Sequence, residues 1–134
     1  MVTRFPSRYQ FNVTWANLDA WARRGIPAPP GKFLDVENGQ YVRDALGNVI
    51  GGMRSPYVDV PASTWVGIST GAGFCAIAGH EVPFDEAQLH ELYSSHGDYA
   101  RKVAADAFKL VGDRYLELVD GLAIIEEAER SGVP

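Results

Sequence analysis

Cysteine is nearly absent: Cys75 is the single one among 134 residues, so no disulfide can form within the chain, and a reducing, cytoplasmic setting is expected. Long apolar runs are missing as well. No stretch approaches the ~20 apolar residues of a membrane span, and the opening MVTRFPSRYQF has no apolar run of signal-peptide length, so no membrane role is expected. Basic residues are scarce. The net charge is −5, and no Lys or Arg occurs between Arg54 and Arg101, whereas Asp59, Glu81, Asp85, Glu86, Glu91, Asp98 and all three histidines fall there. Phosphate binding requires a clustered basic surface, so no nucleic-acid partner is expected. An acidic, histidine-bearing middle is either a solvated face or a surface suited to a cationic partner.

What is present is the composition of a globular protein, 46% hydrophobic with 15 aromatic residues, in a length that suits one domain, here 1–134. Over 12–24, NVTWANLDAWARR spaces Val13, Trp15, Leu18, Trp21 and Ala22 as in a helix, and Gly25 with Pro27 supplies the stop. IPAPPGKF holds too much proline for a helix or central strand and should run extended on the surface. A β region follows, with hairpins over about 33–70, because Asn38-Gly39 and Gly47-Asn48 are turn dipeptides between apolar residues. Gly51-Gly52 within it indicates a bulge or a close backbone approach. Beyond Pro83 the period becomes helical. Asp85 and Gln88 form a capping-box start, Leu89, Leu92, Tyr93 and His96 share one face, and Gly97 ends that helix. Asp98 then caps a helix with the stripe Tyr99, Val103, Ala107, Leu110 and Val111, broken at Gly112-Asp113. Asp120 caps a last helix with Leu122, Ile125 and Ala128 inward. The fold class is α+β, a small antiparallel β unit packed by about four helices.

Chemistry-bearing residues cluster between 54 and 96. Gly67-Ile68-Ser69-Thr70-Gly71 spells the nucleophile elbow of serine hydrolases, in which a strand delivers the chain into a strained turn and a helix follows at once. Here proline precedes it and glycines follow, and no βαβ pattern comes after residue 71, so Ser69 is not expected to be a nucleophile. Cys75 lies near His80 in sequence but has no cationic neighbour to make a thiolate, and reads as a buried structural cysteine. His90-Glu91 begins like a zinc-peptidase helix, but Ser94 stands where the second histidine is needed, so neither metal nor cofactor is expected. His96 reads as a hydrogen-bonded core histidine. For ligand binding the candidates are Arg54, Asp59, Cys75 and His80. A pocket is expected between the Gly51-to-Pro56 strand and the Gly71-to-His80 loop, where Arg54 offers a fork for a carboxylate.

The stretches VRDALGNVIGGMRSPYVDVPASTWVG and GFCAIAGHEVPFDEAQLHELYSSHGDY, in that order, resemble the C-terminal region of large bacterial α/β-hydrolase domain proteins. The pattern is RDALGN, GGxRxP, VDVP, a Cys-containing glycine-rich loop, PFD and LYxxHxxY, and the resemblance covers about residues 12–134. It implies an accessory region: in that family the serine elbow, the acid and the histidine lie upstream of the matched part. The expected function is therefore a stand-alone, non-catalytic domain that binds a protein partner or a small molecule. The alternative is a compact enzyme using Cys75 and His80, or Ser69. Because the resembling region adjoins a larger body, an apolar patch is expected here, contributed by Trp15, Trp21, Phe33, Tyr57 and Trp65, together with a homodimer that covers it.

Overall fold

Residues 4–134 are described by the computed structural model, the Cys75 side chain excepted. The first helix, α1 (Arg8–Arg24), starts a turn earlier than its apolar spacing indicates. It ends where Gly25 turns left-handed at φ 67°, with Gly25 and Ile26 donating their N–H groups back to the carbonyls of Trp21 and Ala20. Its inward face is Tyr9, Val13 and Ala20. The larger residues of the expected stripe point the other way: Trp15 and Trp21 are 67% and 58% exposed. Residues 25–33 have no regular structure. This segment is moored at Tyr115, whose hydroxyl donates to the Pro30 carbonyl at 2.7 Å and whose ring carries the Lys32 ammonium at 4.4 Å.

β1 (Val36–Glu37) and β2 (Gln40–Tyr41) form the first hairpin, closed by Asn38 and Gly39 at φ 50° and 76°, the two left-handed positions that a tight two-residue turn requires. The second turn, 44–48, is held by the Asp44 carboxylate, which accepts the N–H groups of Leu46 and Asn48. Gly51 is the close approach: a Cβ there would stand 2.5 Å from the Phe33 carbonyl oxygen. After α2 (Pro56–Asp59), β3 (Ser63–Val66) pairs antiparallel with β4 (His80–Pro83), Val66 opposite His80. The partner strand thus lies beyond the glycine-rich loop, which itself holds the short α3 (Phe74–Ile77).

α4 (Glu86–Leu92) opens with the full capping box of Asp85 and Gln88. It stops at Leu92, because Tyr93 turns extended, and α5 (His96–Gly112) starts from Ser95 rather than Asp98. Ser95 Oγ accepts the Asp98 N–H, which puts Asp98 inside the first turn, where its charge suits the helix N-terminus. His96 therefore opens α5 instead of sharing the face of α4, and Gly97 terminates nothing. α6 (Leu118–Glu129) likewise begins before Asp120. That carboxylate is 7% exposed and accepts both hydrogen bonds from the Asn12 amide of α1, at 2.9 and 3.2 Å. Anchoring Asp120 inward turns Gly121, Ile124 and Ala128 to the core and leaves Leu122 51% exposed. Val103, Ala107 and Leu110 of α5 meet Ile124 and Ala128 of α6, with Tyr9, Val60, Tyr93, Leu116 and Val133 completing one cluster. The result is a small α+β fold with two two-stranded antiparallel sheets. No helix among the described residues is long and apolar enough to cross a membrane.

His96 joins the start of α5 to the end of the chain. Its Nδ1 lies 2.7 Å from the Val133 carbonyl and its Nε2 lies 3.0 Å from the Glu129 carbonyl. Carbonyl oxygens only accept, so the ring makes both bonds when doubly protonated. The Val133 and then the Glu129 hydrogen bond accordingly raise its pKa above the ordinary 6.5, against a smaller opposing effect of burial, with the Glu129 charge adding to the rise. A raised folded-state pKa means that the stabilisation is complete below the unfolded value and fades as pH rises through the folded one. The melting temperatures of the parent and of His96→Ala should therefore differ most below the ordinary value of about 6.5 and converge as pH rises beyond it. A gap that widens with pH would contradict this.

Candidate functional site

Of the sequence candidates, Arg54 and Asp59 are brought together. The Arg54 guanidinium, 20% exposed, donates from Nε to Asp59 at 2.5 Å, from Nη1 to the Val49 carbonyl at 2.5 Å, and from Nη2 to Asp44 and the Val58 carbonyl, both at 2.9 Å. Four of its five N–H groups are thus used within the chain. Burial works against the charge on Asp44, but the Arg54 hydrogen bond and the N–H groups of Asn48 and Leu46 outweigh it and hold this carboxyl below its ordinary range. The fork expected to receive a ligand carboxylate is filled by its own turn and by α2.

His80 belongs to a second group. The β3–β4 register sets it opposite Val66, and the loop leaving β3 brings Ser69 Oγ to 2.8 Å from His80 Nδ1. A histidine partner for Ser69 therefore exists, which the sequence order does not reveal. Cys75 lies in α3, and the expectation that it is buried and structural falls on a side chain outside the described residues. Glu86 and His90 approach to 3.8 Å on an open face of α4. Among the described residues no group of three His, Cys, Asp or Glu side chains is placed to hold a metal.

A concavity walled by aromatic side chains lies elsewhere. A cleft of about 330 Å³ opens between the segment before α1, α2, the β3–β4 sheet and the ends of α5 and α6. Tyr57, Val60, Trp65 and Tyr99 form its apolar walls, and Arg4, Arg8, Glu81 and Glu127 line it with charge. The walls are fixed from behind: Trp65 Nε1 donates to the Tyr57 carbonyl at 2.8 Å, Phe5 meets the Trp65 ring edge-on at 5.2 Å, and Tyr9 stacks on Tyr57 at 6.4 Å. The Tyr57 hydroxyl donates to Glu127 at 2.8 Å, and burial followed by that carboxylate holds the phenol far above its ordinary pKa, so it stays protonated. Glu81 is neutralised, accepting from Ser63 Oγ at 2.9 Å and from Arg4 at 3.3 Å. Neither Arg54 nor His80 lines this cleft. A family model described as alpha/beta hydrolase domain matches residues 1–126. The chain belongs to that family. No curated protein and no solved structure matches it.

Against the chemistry of an alpha/beta hydrolase, the Ser69 loop has the letters of the elbow without its backbone. Ser69 is not among the residues with positive φ, and the helix that should follow the serine starts only at Phe74. The cleft residues were invisible as a set because they come from separate segments, each with a local explanation of its own: Arg8 and Glu127 as exposed helix positions, Tyr57 as the residue after a proline, Tyr99 as part of a helical stripe. A usable signal was the pair of aromatics Tyr57 and Trp65 flanking VDVPAST, both too large for a surface turn.

Proposed function

We propose that this chain is a non-catalytic binding region of the alpha/beta hydrolase family, working in the cytoplasm through a protein surface, and that isolated copies pair as a two-fold homodimer. The observation that carries this reading is the outward face of α1. Phe11, Trp15, Leu18 and Ala22 share one side of the helix, opposite the buried Val13 and Ala20, with Trp21 beside them. Phe11 is 64% exposed and Leu18 45%. Three aromatic side chains left more than half open, with Leu18, amount to roughly 400–500 Å² of apolar surface per copy. Doubled, this approaches the ~1,000 Å² at which a specific interface becomes stable, before Leu118, Val119 and Leu122 of the neighbouring α6 are added. The stripe is also complementary to itself. In an antiparallel pair of α1 helices, Phe11 covers Ala22 of the other copy and Trp15 covers Leu18, large against small at each contact.

Light scattering over a concentration series tests this. The mass should rise to twice 14.6 kDa, and Trp15→Glu, at a site 67% exposed, should hold it at the monomer value with unchanged circular dichroism. A constant monomer mass in the parent, or a dimer indifferent to Trp15→Glu, would overturn the pairing.

The Ser69–His80 contact favours a second reading, a reactive serine. In the binding-region reading, a fluorophosphonate leaves the native protein unlabelled and Ser69→Ala changes no measurable activity or binding. Stoichiometric labelling that disappears in Ser69→Ala would establish the second reading instead.

A further inference from the structure

The charges lining the aromatic cleft are not all compensated. Glu81 has Arg4 and Ser63 as partners. Arg8 has no direct ion pair among the described residues: its Nη2 donates to the Tyr9 hydroxyl at 2.6 Å, its guanidinium lies 4.4 Å from that ring, and Glu127 acts on it only from beyond contact distance. Glu127 takes the Tyr57 proton on Oε2, and its Oε1 has no donor among the described residues. One open cation and one open anion thus line the same apolar cleft, close enough to interact electrostatically.

A ligand entering such a cleft strips water from both groups, and a charge left without a partner after desolvation costs several kcal/mol. An apolar carboxylate would satisfy Arg8 but be repelled by Glu127, and an apolar amine would meet the reverse. Only a molecule carrying both charges leaves neither group unmatched. The walls of Tyr57, Val60, Trp65 and Tyr99 demand an apolar body on that molecule, and about 330 Å³ accommodates a ligand of about a dozen heavy atoms. We infer that this cleft binds a small zwitterion, an α-amino acid with an aromatic or large aliphatic side chain, its carboxylate on Arg8 and its ammonium on Glu127. Arg8 opens α1, but Trp15→Glu, which removes the dimer, leaves every residue lining the cleft in place, so the two proposals are tested separately.

The experiment titrates the full chain with L-phenylalanine, phenylacetate and 2-phenylethylamine, following backbone amide shifts and the Trp65 indole N–H by NMR. L-Phenylalanine should give saturable shifts confined to Tyr57, Val60, Ala62, Trp65, Tyr99 and Glu127, while the two single-charge analogues bind about tenfold more weakly or worse. Arg8→Gln should weaken L-phenylalanine and leave 2-phenylethylamine unaffected, and Glu127→Gln should weaken L-phenylalanine and leave phenylacetate unaffected. Both positions are exposed, and each variant is checked for unchanged circular dichroism. Absence of saturable shifts, shifts mapping elsewhere, equal affinity for the three compounds, or variants that weaken all three alike would each overturn the proposal.

Discussion

Replacing Asn48 by aspartate should lower stability by about 3 kcal/mol at neutral pH, close to 10 °C in melting temperature for a chain of this size. Asn48 is 1% exposed, and its amide bridges two residues of β3 two apart: Nδ2 donates to the Ser63 carbonyl at 3.2 Å and Oδ1 accepts the Trp65 N–H at 2.8 Å. A side-chain amide here completes the ladder that a neighbouring strand would otherwise supply, and joins the 44–48 turn to the second sheet. A carboxylate keeps the acceptor for Trp65 but sets a second oxygen against the Ser63 carbonyl, lone pair to lone pair, while burying a charge. The introduced acid would have a raised folded-state pKa, since only its protonated form donates to Ser63. Its deficit should therefore shrink as pH falls towards about 4 and be largest above neutrality. Urea unfolding of parent and variant at two pH values decides this, and a pH-independent deficit below about 1 kcal/mol would show that the bridge contributes little.

Arg54→Met should cost about as much, roughly 3 kcal/mol, and Arg54→Lys should recover less than half of it. Methionine leaves two carboxylates and two carbonyls that converge on a vacated position, and an ammonium cannot reach acceptors spread around a planar fork. Because Asp44 is held below its ordinary pKa, its contribution in the parent is present above the unfolded value near 3.8 and disappears as pH falls through the folded one. The parent should thus lose more stability on acidification than Arg54→Met does, and the two unfolding curves should approach each other below about pH 4. In a double-mutant cycle with Asp44→Asn, a coupling near zero would show that the ion pair is incidental.

The parts of the fold set by neighbours in sequence were readable. Asn38-Gly39 closes the first hairpin because both positions need left-handed backbone, and Asp85 with Gln88 caps α4 because the two residues satisfy each other three positions apart. The α+β class and the membership in the hydrolase family follow from the same string. Boundaries decided by competition were not readable: Ser95 and Asp98 both cap well, and the choice depends on where Tyr93 anchors, its hydroxyl donating to the Pro61 carbonyl at 2.8 Å. Burial of Asp120 required knowing that Asn12 faces it. Within the site region, Arg54 was legible as a fork for carboxylates; the two it holds are Asp44 and Asp59 of its own chain. The Ser69–His80 contact was hidden because it follows from strand pairing across a loop without apolar periodicity.

The link between Asn12 and Asp120 closes a loop of 108 residues. Gathering ends that far apart costs about 4 kcal/mol of chain entropy before any contact offsets it, so α1 is expected to dock late. On a ribosome, α1 emerges well before α6, and its inner face, Tyr9, Val13 and Ala20, stays bare until α6 is complete. For that interval the helix is greasy on both sides, its buried residues on one and Trp15 with its neighbours on the other. Translation speed and chaperone supply, more than final stability, should then set how much protein escapes aggregation.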